Sequence, residues 1–119
     1  MTVLLLGTDQ ELTLYRVQAL EAAGIRVLHP RGKQEAIRLI DKADFDVAVL
    51  SYTLPNEAAV EFAELIRQQC AGCPLIAIAH SPWDDTKISP NEVVVGSEGP
   101  QALVEAIRRI GGQKLWRVK

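Results

Sequence analysis

A chain of 119 residues, 48% apolar and 24% charged, is sized and composed for one globular domain around a single core. Its formal net charge of −2 gives no electrostatic footprint for nucleic acid or for an acidic membrane surface, so neither is expected as a partner. No apolar run approaches the roughly 20 residues that a membrane span needs.

The start, Met1 to Gly7, lacks the basic region of a secretion signal and reads as a strand over Val3 to Leu6. A cytoplasmic location is the default expectation. Thr8-Asp9-Gln10-Glu11 matches a capping box, with Thr8 as N-cap and Glu11 reaching back to it. The helix that follows puts Leu12, Tyr15, Ala19, Leu20 and Ala23 on one stripe and closes at Gly24. Ile25 to Leu28 is a short strand, and His29 to Gly32 a loop. A second helix runs from Lys33 to about Ala43, with Ala36, Ile37, Ile40 and Ala43 facing inward.

The stretch from Phe45 to Pro55 organises the chain. Val47 to Leu50 is an unbroken apolar run, too short for a helix and patterned for a strand covered on both faces. Pro55 has no N–H and lies beyond the ladder. The strand therefore ends near Leu50 and leaves Ser51 at its carboxyl end, the edge where open α/β sheets build sites. Asn56 caps a third helix, which carries Val60, Ala63 and Ile66 to about Gln69.

Cys70-Ala-Gly-Cys73 has the spacing of a redox dithiol or half a zinc site. A structural zinc site needs four ligands, and only His29 and His80 remain, each alone in sequence. A reactive dithiol opens a helix, where the dipole lowers the thiol pKa; Gly72 and Pro74 mark this pair as closing one. The expectation is two thiols in a helix-to-strand turn, and no metal.

Leu75 to Ala79 is a fourth buried strand. Residues 80–92 are rich in Pro, Asp, Ser and Asn, show no helical stripe, and read as a loop. Val93 to Val95 is a fifth strand. Gly99-Pro100 opens the last helix, since proline is tolerated at a first helical position. Leu103, Ala106, Ile107 and Ile110 form its buried face, and Gly111-Gly112 ends it. The domain thus occupies residues 1–112, followed by a basic, apolar-tipped tail at 113–119.

Strands alternating with helices imply a parallel sheet with right-handed crossovers. Five strands at this length predict a flavodoxin-like (βα)5 three-layer α/β sandwich of sheet order 2-1-3-4-5, with the fourth helix short or absent. Gly7, Thr8, Asp9, Ser51, Ala79 and Gly96 then converge on one edge.

On these residues the chain resembles, over nearly its whole length, a chemotaxis-regulator-like receiver domain of two-component phosphorelay response regulators. The most specific piece is Phe45-Asp46-Val-Ala-Val-Leu-Ser51-Tyr-Thr-Leu-Pro55, which parallels the family's strand, phospho-acceptor, apolar residues and proline. Glu61 and Ile66-Arg67 fit its third helix, Pro74 to Ala79 its fourth strand, and Gly99-Pro100-Gln-Ala-Leu103 the start of its fifth helix. The departures fall on the chemistry. The resemblance implies an aspartate where Ser51 stands, a carboxylate pair where Gly7 and Thr8 stand, a hydroxyl where Ala79 stands and a lysine where Gly96 stands. It also implies a switch aromatic where Val93 stands. Ser51 cannot form an acyl phosphate. Asp9 alone is a poor substitute for a magnesium site, and no lysine neutralises a bound phosphoryl group.

Each candidate residue has a plainer reading. Asp9 as a residual cation ligand competes with Asp9 as a helix cap, the favoured role. Ser51, Ser81, Ser97 and helix N–H groups could hold an anion, although hydroxyls at strand ends usually satisfy backbone groups. His80 and Ser81 point to opposite sides of a strand end and lack a third member, so no enzyme is expected. Trp83 in the polar loop, Trp116 in the tail and Arg108 on the last helix are candidates for an interaction surface. A solvated face is the simplest account of Arg108.

The resemblance with its chemistry lost implies a pseudo-receiver: a signalling module acting without phosphorylation, through contact with a protein partner or with a second copy as a homodimer. No cofactor is expected. The alternative is a small-ligand or anion sensor using room left by Gly7, Ala79 and Gly96.

Overall fold

The computed structural model describes residues 1–84 and 86–118, with side chains through residue 111. In chain order the elements are β1 (Thr2–Leu6), α1 (Gln10–Ala22), β2 (Arg26–Leu28), α2 (Lys33–Lys42), β3 (Val47–Ser51), α3 (Asn56–Gln69), β4 (Leu75–Ala79), β5 (Glu92–Val95), a 3-10 turn η1 (Gly96–Glu98) and α4 (Pro100–Val118). The five strands form one sheet of order β2-β1-β3-β4-β5. All neighbours are parallel, with Leu5 opposite Val49, Val49 opposite Ile76, and Ala79 opposite Val95. This is the flavodoxin-like three-layer sandwich expected from the order of elements.

Continuous apolar runs make the central strands. All five positions of β3 and of β4 are buried, so both sheet faces need cover. Alternation along each strand divides the core in two. On one face Val3, Leu5, Val47, Val49, Ile76 and Ile78 pack with Val17, Leu20, Leu103 and Ile107 from α1 and α4. On the other, Leu4, Leu6, Ala48, Leu50 and Ala77 pack with Ile40, Phe62, Ala63 and Ile66 from α2 and α3.

Several local expectations are corrected. The N-cap of α1 is Asp9, whose Oδ1 accepts the Leu12 N–H at 3.0 Å. Thr8 is drawn instead to the β3–α3 loop, where its hydroxyl donates to the Thr53 carbonyl at 2.6 Å. A carboxylate is the stronger acceptor for the helix N–H, and the threonine has a cross-loop partner. On α1, Tyr15 is 56% exposed while Arg16 is buried at 6%. The apolar stripe had counted the ring and omitted the arginine, whose methylene stem packs like a hydrophobe. Asn56 is the first helical residue of α3 rather than its cap, since the Pro55 carbonyl already accepts the Ala59 N–H at 2.9 Å. Cys70 and Cys73 are joined as a disulfide, not free thiols; the turn after α3 sets their Cα atoms 5.4 Å apart, within bonding reach.

The last helix does not end at Gly111-Gly112 but continues to Val118. An interior glycine costs only about 1 kcal/mol relative to alanine and stops a helix when the chain turns to positive φ, as it does at Gly24 (φ 83°). Residues 113–118 are therefore helical in backbone. The Trp116 side chain lies outside the described residues. No described helix is long and apolar enough to cross a membrane.

Among the described residues the crossover from β4 to β5 has no helix, within the expectation of a fourth helix short or absent. Its first turn is built on Asp84. One carboxylate oxygen accepts the His80 and Ser81 N–H groups at 2.7 and 3.1 Å, and the other accepts the Ser81 hydroxyl at 3.0 Å. These Ser81 and His80 hydrogen bonds hold the Asp84 carboxyl below its ordinary range. A depressed folded pKa means that the order it lends the turn is present above about pH 4 and lost as pH falls through the lower folded value. Amide exchange at His80 and Ser81 is expected to be slow at neutral pH, once corrected for intrinsic rates, and to accelerate in Asp84→Ala. Equal exchange in both proteins would mean that the turn holds without the carboxylate.

Candidate functional site

The ends of β1, β3, β4 and β5 meet at the carboxyl edge of the sheet. A Cβ on Gly7 would lie 3.2 Å from the Ser51 Cβ and 2.9 Å from the Thr53 Oγ1. One on Gly96 would lie 3.2 Å from the Tyr52 ring, 3.5 Å from the Ala79 carbonyl and 3.6 Å from the Arg16 Nη2. Gly7, Ser51, Ala79 and Gly96 are thus brought together as the topology predicts. The room expected beside Gly7 and Gly96 is taken by Thr53 at one end and by Tyr52 and Arg16 at the other, while beside Ala79 a cavity of about 320 Å³ opens, lined also by Ser51, Tyr52 and His80.

The centre of the site is a contact absent from the sequence reading. Arg16 reaches inward from α1 and its Nη1 donates to the Ser51 Oγ at 2.9 Å. The same oxygen accepts the Thr53 N–H at 3.3 Å and the Thr53 hydroxyl at 3.2 Å. Thr8 N–H donates to that Thr53 Oγ1 at 3.0 Å, so the β1–α1 and β3–α3 loops are stapled across the strand ends. The Tyr52 ring stands 5.8 Å from the Arg16 guanidinium carbon, within cation–π range, and meets His80 edge-on with centroids 5.0 Å apart.

Burial pushes the Arg16 guanidinium down from its usual range, while Tyr52 and Asp9 pull it back up. An arginine does not deprotonate in a protein, so the charge stays. Ser51 is equally enclosed at 4% exposure. Among the described residues no carboxylate forms an ion pair with Arg16. A hydroxyl, a ring and the more distant Asp9 are what offset its desolvation. The sequence did hold a signal: Leu12, Arg16 and Leu20 stand at i, i+4 and i+8, so a cation sits in the middle of an inward stripe.

The other candidates border this centre or lie apart from it. Asp9 caps α1 and Thr8 staples the loops, both in exposed hydrogen bonds. The Ser81 hydroxyl donates to Asp84 and the His80 ring packs on Tyr52, so the two do not pair. Trp83 is 91% exposed on the β4–β5 crossover. Arg108 is engaged within the domain: its Nη2 donates to the Ala23 carbonyl at 3.0 Å, tying α4 to the C-terminus of α1. Val93 is half exposed on the edge strand.

No family model and no curated protein matches the chain. Solved structures do. A CheY-like response regulator receiver domain protein from Methanospirillum hungatei JF-1 superposes with a TM-score of 0.84 at 17% identity, covering 98% of this chain and 97% of that one. Vibrio cholerae chemotaxis protein CheY4 gives 0.78 at 21% identity, covering 91% and 96%. Thermotoga maritima response regulator TrrA, solved with Mg2+-BeF, gives 0.76 at 18% identity, also covering 91% and 96%. With identity this low and at least 91% of the chain superposed, the backbone topology and the stacked strand ends are what these proteins share: the chain has the fold of response-regulator receiver domains.

Proposed function

We propose that this domain is a receiver-fold signalling module that works without phosphoryl transfer, by presenting a fixed surface to a protein partner. The observation that carries this reading is the Arg16–Ser51 hydrogen bond at 2.9 Å. A serine at that strand end offers no carboxylate to phosphorylate. The guanidinium bonded to it is a built-in cation, standing where an incoming dianion would otherwise need a metal ion and a lysine. A site already satisfied internally has one stable arrangement, which suits a scaffold better than a switch. Trp83, nearly fully exposed on the β4–β5 crossover, is the residue on which a partner would anchor.

The test is an amide NMR spectrum recorded with and without magnesium and beryllofluoride, with the Thermotoga TrrA, solved with Mg2+-BeF, as positive control. The expected spectrum of this domain is unchanged while that of the control shifts. Shifts clustered at Asp9, Ser51 and Gly96 would overturn the reading.

A further inference from the structure

The Ser51 edge is not the only concave feature. A cleft of about 430 Å³ lies between α1, the β2–α2 loop and the first turn of α3. Neither Ser51 nor Arg16 lines it. Its floor is apolar, with Leu6, Ala36, Leu54 and Phe62. Leu14, an aliphatic side chain 53% exposed on α1, also lines it. Its volume falls in the range of about 300–1,000 Å³ typical of small-molecule sites, which combine an apolar body with a few polar groups at one end.

The polar end here is one-signed. His29, Arg31 and Lys33 line the cleft and no aspartate or glutamate does. That bias runs against the whole chain, which carries 15 acidic and 13 basic residues. Two carboxylates are near without lining it: Glu61 pairs with Lys33 at 3.2 Å, and Glu35 accepts the Arg31 backbone N–H at 3.3 Å. Lys33 is thereby partly neutralised. The Arg31 guanidinium forms no ion pair among the described residues. In addition, α2 opens at Gly32, which supplies no side-chain cap, so the positive end of the helix dipole adds to the same rim.

We infer that this cleft binds a small amphipathic anion: an organic carboxylate or phosphate ester whose apolar body lies on Leu6, Leu54 and Phe62 and whose charged head meets Arg31. The inference is independent of how the Ser51 edge works, since the two sites share no charged residue.

The experiment uses the fluorescent probe 8-anilinonaphthalene-1-sulfonate, an apolar body with an anionic head, titrated into the whole domain. The expected result is a saturable one-site enhancement, displaced by octanoate at least tenfold more effectively than by octan-1-ol. Arg31→Glu should weaken octanoate displacement at least tenfold, and Ala58→Phe, which fills the cleft from α3, should abolish saturable probe binding. Arg31→Glu lies on an exposed loop, so it tests the charge even where the filling variant perturbs the fold. Absence of saturation, equal displacement by the alcohol and the acid, or an unaltered Arg31→Glu variant would each overturn the proposal.

Discussion

Ser51→Val is expected to destabilise the domain by about 2–4 kcal/mol, lowering Tm by roughly 10 °C. Valine suits a central strand but carries one more methyl branch than serine, so overpacking contributes to the loss. The larger cause is Arg16. Its guanidinium is 6% exposed and donates to the Ser51 oxygen at 2.9 Å. Removing the acceptor leaves a desolvated cation facing methyl groups. Two companions fix the interpretation. Adding Arg16→Met to Ser51→Val should recover most of the loss, because an apolar side chain of similar length removes the stranded charge. Ser51→Asp should raise stability by about 1–2 kcal/mol, since a carboxylate gives the buried cation a counter-ion through a charge-assisted hydrogen bond. Thermal and urea denaturation of the four proteins measure all of this. A loss below about 0.5 kcal/mol in Ser51→Val, within the range of ordinary surface substitutions, would mean that Arg16 is solvated and that the site is not locked.

The second large effect is expected at Ile88. A parallel β4–β5 connection ordinarily carries a helix, whose apolar stripe covers the sheet face below it. Here the described residues of the crossover form no helix, and Ile88, 6% exposed, joins the cluster of Leu50, Leu54, Phe62 and Ala77 in its place. The segment is held down by Arg67 of α3, whose Nη2 donates to the Ile88 carbonyl and, at 2.8 Å, to the Ser89 carbonyl. At its end the Asn91 side chain accepts the Leu75 N–H at 2.9 Å, ahead of β5. Ile88→Ala should therefore cost about 3 kcal/mol, the usual scale for a buried isoleucine truncated to alanine. The urea midpoint should fall with little change in slope. Arg67→Ala should give a smaller loss and faster amide exchange after Ile88. An Ile88→Ala cost under about 1 kcal/mol would show that the crossover is a loose strap and that the β3–β4 face is closed by α3 alone.

Both predictions rest on residues that the sequence displayed without ranking. Ile88 stood in a loop of Asp, Ser and Pro with no periodicity around it, so nothing local marked it as core. Arg16 stood on the inward stripe of α1 between Leu12 and Leu20, but a pattern that scores apolar residues passes over an arginine. Tyr15, which it favoured, turned out exposed. The cap of α1 moved from Thr8 to Asp9 for a related reason: Thr53, the partner that drew Thr8 away, lies 45 residues along the chain.

What the sequence determined by itself is the architecture. The apolar runs Val3 to Leu6, Val47 to Leu50 and Leu75 to Ala79, spaced by helical patterns, admit one kind of solution: a parallel sheet covered on both faces. Burial of apolar surface is additive and nearly blind to which side chain supplies it, so patterning suffices. What only the tertiary structure decided is the site. Whether Ser51 faces a metal ion, water or a cation depends on a side chain 35 positions away. The basic rim and apolar floor of the second cleft come from β1, α2, α3 and the loops before α2 and α3, whose residues carry no common motif. Hydrogen bonds and buried charges are directional and pairwise, and they exist only once the strands have stacked their ends together.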